Sequence, residues 1–90
     1  MLLADQVAAA LDAANRDAID QVLDARRRHE TSTTPVVVSG NIGPRGDGYV
    51  VGATMPADEA RAYHASQVRT FASTEADLVT AMTMTYADEA

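Results

Sequence analysis

The stretch Val36–Tyr49, VVVSGNIGPRGDGY, decides the fold class of this 90-residue chain. It follows Pro35 and begins with three β-branched apolar residues that do not alternate with polar ones. Such a run predicts a strand over Val36–Val38 with both faces buried, as in a parallel sheet covered by helices. The glycines and the proline at positions 40–48 then predict a loop directly after the strand.

Apolar residues at helical spacing predict a helix on each side of this stretch. From Leu3 to Arg28 they recur every three or four positions, which is typical of an amphipathic helix that packs on one side. We expect its buried stripe to contain Val7, Leu11, Ala14, Ala18 and Val22, with Ala25, Ile19 and Leu23, and its solvent face to contain Asp12, Arg16, Asp20, Asp24 and Arg27.

A second helix is predicted to begin at Pro56-Ala57 and to end near Ser73-Thr74, because acidic residues follow the proline and favour a helix N-terminus. Its expected buried residues are Ala60, Tyr63, Gln67 or Val68, and Phe71. Asp77–Thr83 predicts a second strand, and Asp88-Glu89-Ala90 is typical of the first turn of another helix.

The order helix, strand, helix, strand predicts an α/β fold with parallel strands. Two strands cannot cover both faces and both edges of a parallel sheet, and an isolated pair is marginal in water. A complete (β/α)8 barrel takes about 250 residues. We therefore interpret residues 1–90 as a single incomplete domain, part of a TIM barrel or of a larger doubly wound sheet.

Composition excludes several classes of function. A net charge of -6 argues against nucleic-acid binding, which relies on clustered basic residues. The one basic run, Arg26–Arg28, lies at a predicted helix end, where cations complement the helix dipole. No apolar stretch approaches the roughly 20 residues needed to span a membrane, and no signal peptide is recognisable, so we expect a cytoplasmic protein. With no Cys and only two His, a metal site within the chain is not expected.

Candidate binding residues lie where the predicted strands end, because α/β folds bind ligands beyond the carboxyl ends of their strands. They are Ser39, Gly40 and Asn41 after the first strand and Met82 and Thr83 after the second. The glycine spacing of three, three and two fits neither a dinucleotide fingerprint nor a P-loop.

No catalytic residue is assigned from the sequence. Ser39 lacks the Gly-x-Ser-x-Gly pattern of a nucleophile elbow, so a triad with His64 and Asp47 is not favoured. His64 is interpreted as a structural or surface histidine.

The residues resemble an interior portion of the homocysteine S-methyltransferase family, about strands 3 and 4 of its barrel. Val38–Tyr49 is similar to the third-strand motif, in which a strand end of small residues runs into Gly-x-x-Gly-Pro-x-Gly. Further similarity follows in the same order at Glu59-Ala60 and Tyr63-His64-x-x-Gln67 for the next helix, Ala76–Thr83 for the fourth strand, and Asp88-Glu89-Ala90 for the helix after it.

The resemblance implies a (β/α)8 barrel that transfers a methyl group from donors such as S-methylmethionine or betaine to the thiol of homocysteine. It also implies a zinc ion, held by cysteine thiolates late in the barrel, that keeps the homocysteine sulfur deprotonated. This chain has no cysteine, so it is expected to bind no zinc alone. The family commonly has a Glu that contacts the substrate's amino group where this chain has Met82, and the acceptor therefore stays open.

Three hypotheses follow. In the first, the chain is part of a zinc-dependent homocysteine S-methyltransferase and is inactive alone. Alternatively, it is a stand-alone interaction module that completes its sheet by homo-oligomerisation through exposed edges. As a third possibility, it is a small-ligand binding protein whose site is the glycine-rich loop.

Overall fold

The computed structural model describes residues 2–90, with the side chains of residues 3–90. Helix α1 (Leu2–His29) is followed by strand β1 (Ser39–Ile42), helix α2 (Ala57–Ala72) and strand β2 (Leu78–Ala81). The two strands are parallel neighbours, with Ser39 opposite Leu78 and Ile42 opposite Ala81. The predicted element order and parallel strands are therefore confirmed, and the described chain is a mixed helix and strand structure of α/β type.

Strand β1 begins three residues later than predicted. It starts at Ser39, so Val36–Val38 is an extended entry segment and Gly40 lies inside the strand rather than in the loop. Within the described residues only one face is covered, because Val38 is fully buried whereas Val37 is 64% exposed. The physical reason is that α2 covers only one face of the sheet.

The core lies between the helices and the covered face of β1. It consists of Ile19 and Leu23 from α1, Val38 and Ile42 at β1, and Phe71 from α2. These side chains come from three elements of the chain, so burying them holds both helices against the strand.

The buried side of α1 differs from the predicted stripe. Most of the expected positions are exposed, namely Val7, Leu11, Ala14, Ala18 and Val22. In this part of the interface α1 meets α2 through polar pairs: Thr70 Oγ1 donates to Asp12 Oδ1 at 2.7 Å, and Gln67 Nε2 donates to Asn15 Oδ1 at 2.9 Å. Asp12, predicted to face solvent, therefore points at α2.

The covered side of α2 is also rotated from the predicted one. Ala60 and Phe71 are buried as expected, but Tyr63 is 51% exposed and its neighbour His64 is buried. Successive side chains on a helix point about 100° apart. In the first half of α2 the buried face is therefore rotated by about one residue from the predicted face. Although α1 has 28 residues, neither it nor the other helix in the described part is apolar enough to cross a membrane.

Asp77 joins three elements at the start of the sheet. Its Oδ2 accepts hydrogen bonds from the backbone N–H of Val38 at 2.9 Å and from Arg26 Nη1 at 3.1 Å. Its own N–H donates to the Val38 carbonyl at 2.8 Å. The carboxylate thus ties the end of α1 to the entry of both strands.

Candidate functional site

The two strands end at the same edge of the sheet, and one face of the sheet carries polar side chains along the strands. Side chains alternate along a strand and registered partners share a face, so Ser39, Asn41, Leu78 and Thr80 lie together on one side. We call this side the open face. The opposite side is covered by α2, where the ring of Phe71 lies directly over Gly40.

A small polar cluster lies on the open face. The hydroxyl groups of Ser39 and Thr80 share a hydrogen bond of 2.6 Å between the strands, and Ser39 Oγ donates to Asn41 Oδ1 at 3.2 Å. Hydroxyl and amide groups bind and orient a polar ligand through hydrogen bonds, but they are poor acids and bases at neutral pH. The cluster is therefore suited to substrate binding rather than to proton transfer.

Ser39, Gly40 and Asn41 were predicted to follow the first strand, but all three lie within β1 and Ser39 is its first residue, because the ladder with β2 begins there. The structure brings some of the predicted site residues together and separates others. Ser39 and Asn41 share the open face, and the hydrogen bond from Met82 N to Ile42 O at 2.9 Å extends the ladder so that alternation places Met82 there as well. Gly40 lies on the other side, against Phe71. Thr80 was not predicted, although its position two residues before Met82 on the same strand is the signal that would have identified it.

Thr83 has an uncommon backbone conformation just beyond β2. Its φ is 55°, in the left-handed region that β-branched residues rarely adopt. Its Oγ1 donates to the Met82 carbonyl at 2.7 Å. A Cβ atom on Gly48 would lie 2.9 Å from this hydroxyl oxygen, so Thr83 and the glycine-rich loop are in close contact at the carboxyl edge.

The glycine-rich loop, residues 43–54, is held by hydrogen bonds rather than by unusual glycine conformations. Among residues 2–90 no glycine has a positive φ. The Asp47 carboxylate accepts a hydrogen bond from Tyr49 N at 2.7 Å inside the loop. At its borders, Arg45 N donates to Glu89 Oε2 at 2.8 Å and Met55 N donates to Tyr86 Oη at 2.9 Å.

Glu89 is a buried carboxylate beside this loop. Besides Arg45, it contacts His64, whose Nε2 lies 3.0 Å from Glu89 Oε2. The backbone hydrogen bond from Arg45, aided by His64, holds the pKa of Glu89 below its ordinary value against the opposing effect of burial. His64 is therefore a structural histidine, as the sequence suggested.

No nucleophile and base pair is formed by the residues considered from the sequence. Ser39 is bonded to Thr80 and Asn41, His64 to Glu89, and the Asp47 carboxylate to its own loop. These three side chains are thus engaged separately and form no triad.

The described residues do not provide a zinc site. Within residues 2–90 there is no group of three or more His, Cys, Asp or Glu placed to hold a metal ion. The chain also lacks cysteine, the soft ligand that a zinc thiolate site requires. The residues present therefore do not fit the zinc that the resemblance implies.

Comparison with known proteins gives one positive result. No curated protein and no solved structure matches the chain. A family model described as homocysteine S-methyltransferase matches residues 2–90. The match covers the two strands, both helices and the open face, and the chain belongs to the homocysteine S-methyltransferase family.

Proposed function

We propose that this chain contributes two adjacent strand–helix units to a homocysteine S-methyltransferase barrel, and that the completed barrel transfers a methyl group to the thiol of homocysteine. The observation that carries the proposal is the open face, where Ser39, Asn41 and Thr80 form a polar cluster that runs from the start of β1 toward the carboxyl ends of the parallel strands. In α/β barrels the substrate binds at this end. The family match over residues 2–90 supports the same assignment.

The two faces of the sheet suit the two environments of a barrel strand. One face is covered by α2, through Phe71, as the outer face of a barrel strand is covered by its helix. The open face carries polar groups next to the half-exposed apolar side chains of Leu78 and Met82. In a barrel such residues fill the interior in layers, so we infer that further strands, supplied from outside residues 1–90, pack over them.

The role we assign to this chain in the reaction is binding and orientation. In methyl transfer a new bond forms between the homocysteine sulfur and the methyl carbon while the bond from that carbon to the donor's sulfur or nitrogen breaks. Ser39, Asn41 and Thr80 offer neutral hydrogen-bonding groups that orient a polar substrate. The thioether of Met82 offers only apolar contact, so we infer that the acceptor's ammonium group is bound by other residues.

The isolated chain is expected to be inactive. Purified residues 1–90, incubated with zinc, homocysteine and either S-methylmethionine or betaine, should form no methionine above a protein-free control, as measured by mass spectrometry. The reason is that its described residues supply no metal site and only part of a substrate site. Methionine formed in proportion to chain concentration would contradict this part of the proposal.

A chimeric enzyme tests the positive part. Residues 2–90 would replace the matching strand–helix units of an active family member, and we expect a folded barrel that retains methyl transfer. In that chimera Asn41→Ala should lower kcat/KM by about tenfold, since it removes one ligand hydrogen bond, whereas Glu75→Ala at the opposite edge should leave it unchanged. A folded chimera without activity would overturn the assignment.

A second candidate function is the oligomeric interaction module. It is favoured by one observation: the described sheet has only two strands, and its open face exposes Leu78 and Met82. Unpaired strand edges and exposed apolar side chains promote association between chains. The size of the chain in solution tests this function, as described below.

A further inference from the structure

We propose that Glu89 is the positioning residue of the glycine-rich loop: its buried carboxylate fixes the backbone of Arg45 and so holds the loop at the carboxyl edge of the sheet. Only the assignment of that edge to methyl transfer rests on the proposed function. The contacts themselves are independent of it.

The first argument is the burial of a charged group. Glu89 is 7% exposed, and a carboxylate withdrawn from water is costly unless it receives hydrogen bonds. One oxygen, Oε2, receives the N–H of Arg45 at 2.8 Å and lies 3.0 Å from Nε2 of His64. This single atom therefore joins the loop, helix α2 and the last turn of the chain.

Further contacts hold the Arg45 side chain against α2. Its Nη1 lies 3.1 Å from Glu59 Oε1, and the guanidinium carbon lies 5.6 Å from the centre of the Tyr63 ring. A cation at this distance is attracted to the face of an aromatic ring. Arg45 is thus held at its backbone by Glu89 and at its side chain by α2.

The turn that carries Glu89 also holds the other end of the loop. Tyr86 lies three residues before Glu89, and the two share a turn closed by the hydrogen bond from Ala90 N to Tyr86 O at 3.4 Å. The hydroxyl of Tyr86 accepts the N–H of Met55 at 2.9 Å. The loop is therefore attached to one turn at both of its borders, and a shift of either border away from that turn would break a hydrogen bond.

The ionised form of Glu89 is the one that the fold stabilises. Its pKa is lowered chiefly by the backbone hydrogen bond from Arg45, and the charged or titratable groups facing it are Arg45 and His64, with Glu59 beyond Arg45. A carboxyl whose pKa is lower in the folded state stabilises the fold above its unfolded value of about 4.3. That contribution is lost as the pH falls through the folded pKa.

Amide hydrogen exchange on the full chain tests the proposal. In Glu89→Ala the Arg45 amide should exchange at least about tenfold faster, because a part-buried donor loses its acceptor, while Leu23 in α1 keeps its protection. Glu89→Gln retains an oxygen acceptor and should protect Arg45 at pH 7 like the parent chain. Tyr86→Phe is the matched control. It should speed exchange of the Met55 amide and leave exchange of the Arg45 amide unchanged.

The pH profile separates positioning from general stabilisation. After correction for intrinsic exchange, the parent chain should lose protection at Arg45 as the pH falls below the ordinary Glu value of about 4.3, and Glu89→Gln should not. The inference would be overturned by an unchanged Arg45 amide in Glu89→Ala, by equal acceleration in α1 and the loop, or by acid loosening in Glu89→Gln. If Glu89→Ala does not fold, the pH profile of Arg45 exchange in Glu89→Gln tests the proposal by itself. None of these measurements involves methyl transfer, so failure here is distinct from failure of the chimera.

Discussion

Gly40 occupies a strand position at which a side chain would collide with an aromatic ring. A Cβ atom there would lie 2.6 Å from Cγ of Phe71. We predict that Gly40→Ala lowers the free energy of unfolding by about 1–3 kcal/mol, the usual effect of overpacking a core. Urea denaturation followed by circular dichroism measures this change.

The control for this substitution is Gly43→Ala. A Cβ atom at Gly43 would meet nothing within 4 Å, and the residue has no positive φ. Its free energy of unfolding should stay within about 0.5 kcal/mol of that of the parent chain. Equal stability of Gly40→Ala and Gly43→Ala would show that the contact with Phe71 does not restrict position 40.

At the scale of single residues, the sequence could predict polar side chains next to the first apolar run, but not that they lie within β1 or which side chains they meet. Ser39 and Asn41 were identified because they follow an apolar run. Thr80 was missed because the register between two strands separated by a helix is fixed by tertiary packing. The role of Gly40 was not predicted either. The sequence alone does not distinguish a glycine required by close packing from a glycine required by a loop.

Asp77 attaches α1 to the strands through Arg26, in addition to the apolar core that α1 shares with β1. Asp77→Ala removes the acceptor for the N–H of Val38, a fully buried residue, and the partner of Arg26. We predict a loss of about 1–3 kcal/mol in the free energy of unfolding, the cost of a buried donor without a partner. Chemical denaturation monitored by helix content gives the value.

Glu75→Ala is the matched control, because it removes a neighbouring acidic residue in an exposed pair. Glu75 lies 4.0 Å from Arg27, and both side chains are mostly in solvent. Exposed pairs contribute little to stability, so this variant should unfold close to the parent chain. If Asp77→Ala is as mild as Glu75→Ala, the proposed attachment is incorrect.

Whole elements were predicted more reliably than their faces and boundaries. Helical periodicity identified α1 and α2, but the many alanines of α1 make several stripes similar in polarity, and polar pairs with α2 decide which one is buried. The propensity of Val36–Val38 favoured a strand there, whereas the ladder with β2 begins at Ser39. Partner elements, which local sequence does not describe, therefore set the final position of each element.

We expect the open face to promote self-association of the whole molecule. Leu78 is 45% exposed and Met82 50% exposed on a sheet of two strands. We predict that the apparent mass of the chain rises with concentration, and that Leu78→Lys reduces this rise. Sedimentation velocity over a wide concentration range measures both effects.

Leu3→Lys is the control, because Leu3 is 71% exposed on α1 and lies away from the sheet. It should leave the concentration dependence unchanged. A parent chain that stays monomeric at every concentration, or equal effects of the two substitutions, would contradict a role for the open face. A discrete, cooperatively melting oligomer would favour the interaction module over the incomplete barrel.

At the scale of the molecule, the family and the α/β order were predicted from the sequence, and the family match confirms the former. The number of strands in the sheet could not be predicted from these residues. Sequence patterns predict which side chains of a segment are buried. The mixture of polar and apolar side chains on the open face does not identify the element that would pack against it.

The attachment of Val38 to Asp77 joins residues 39 positions apart in sequence, which sets the order in which the molecule can fold. Closing so long a loop costs chain entropy before any contact offsets it. Helix α2, with 16 residues between the strands, shortens that path when it forms. During synthesis β1 therefore cannot pair with β2 until α2 and then β2 have emerged from the ribosome.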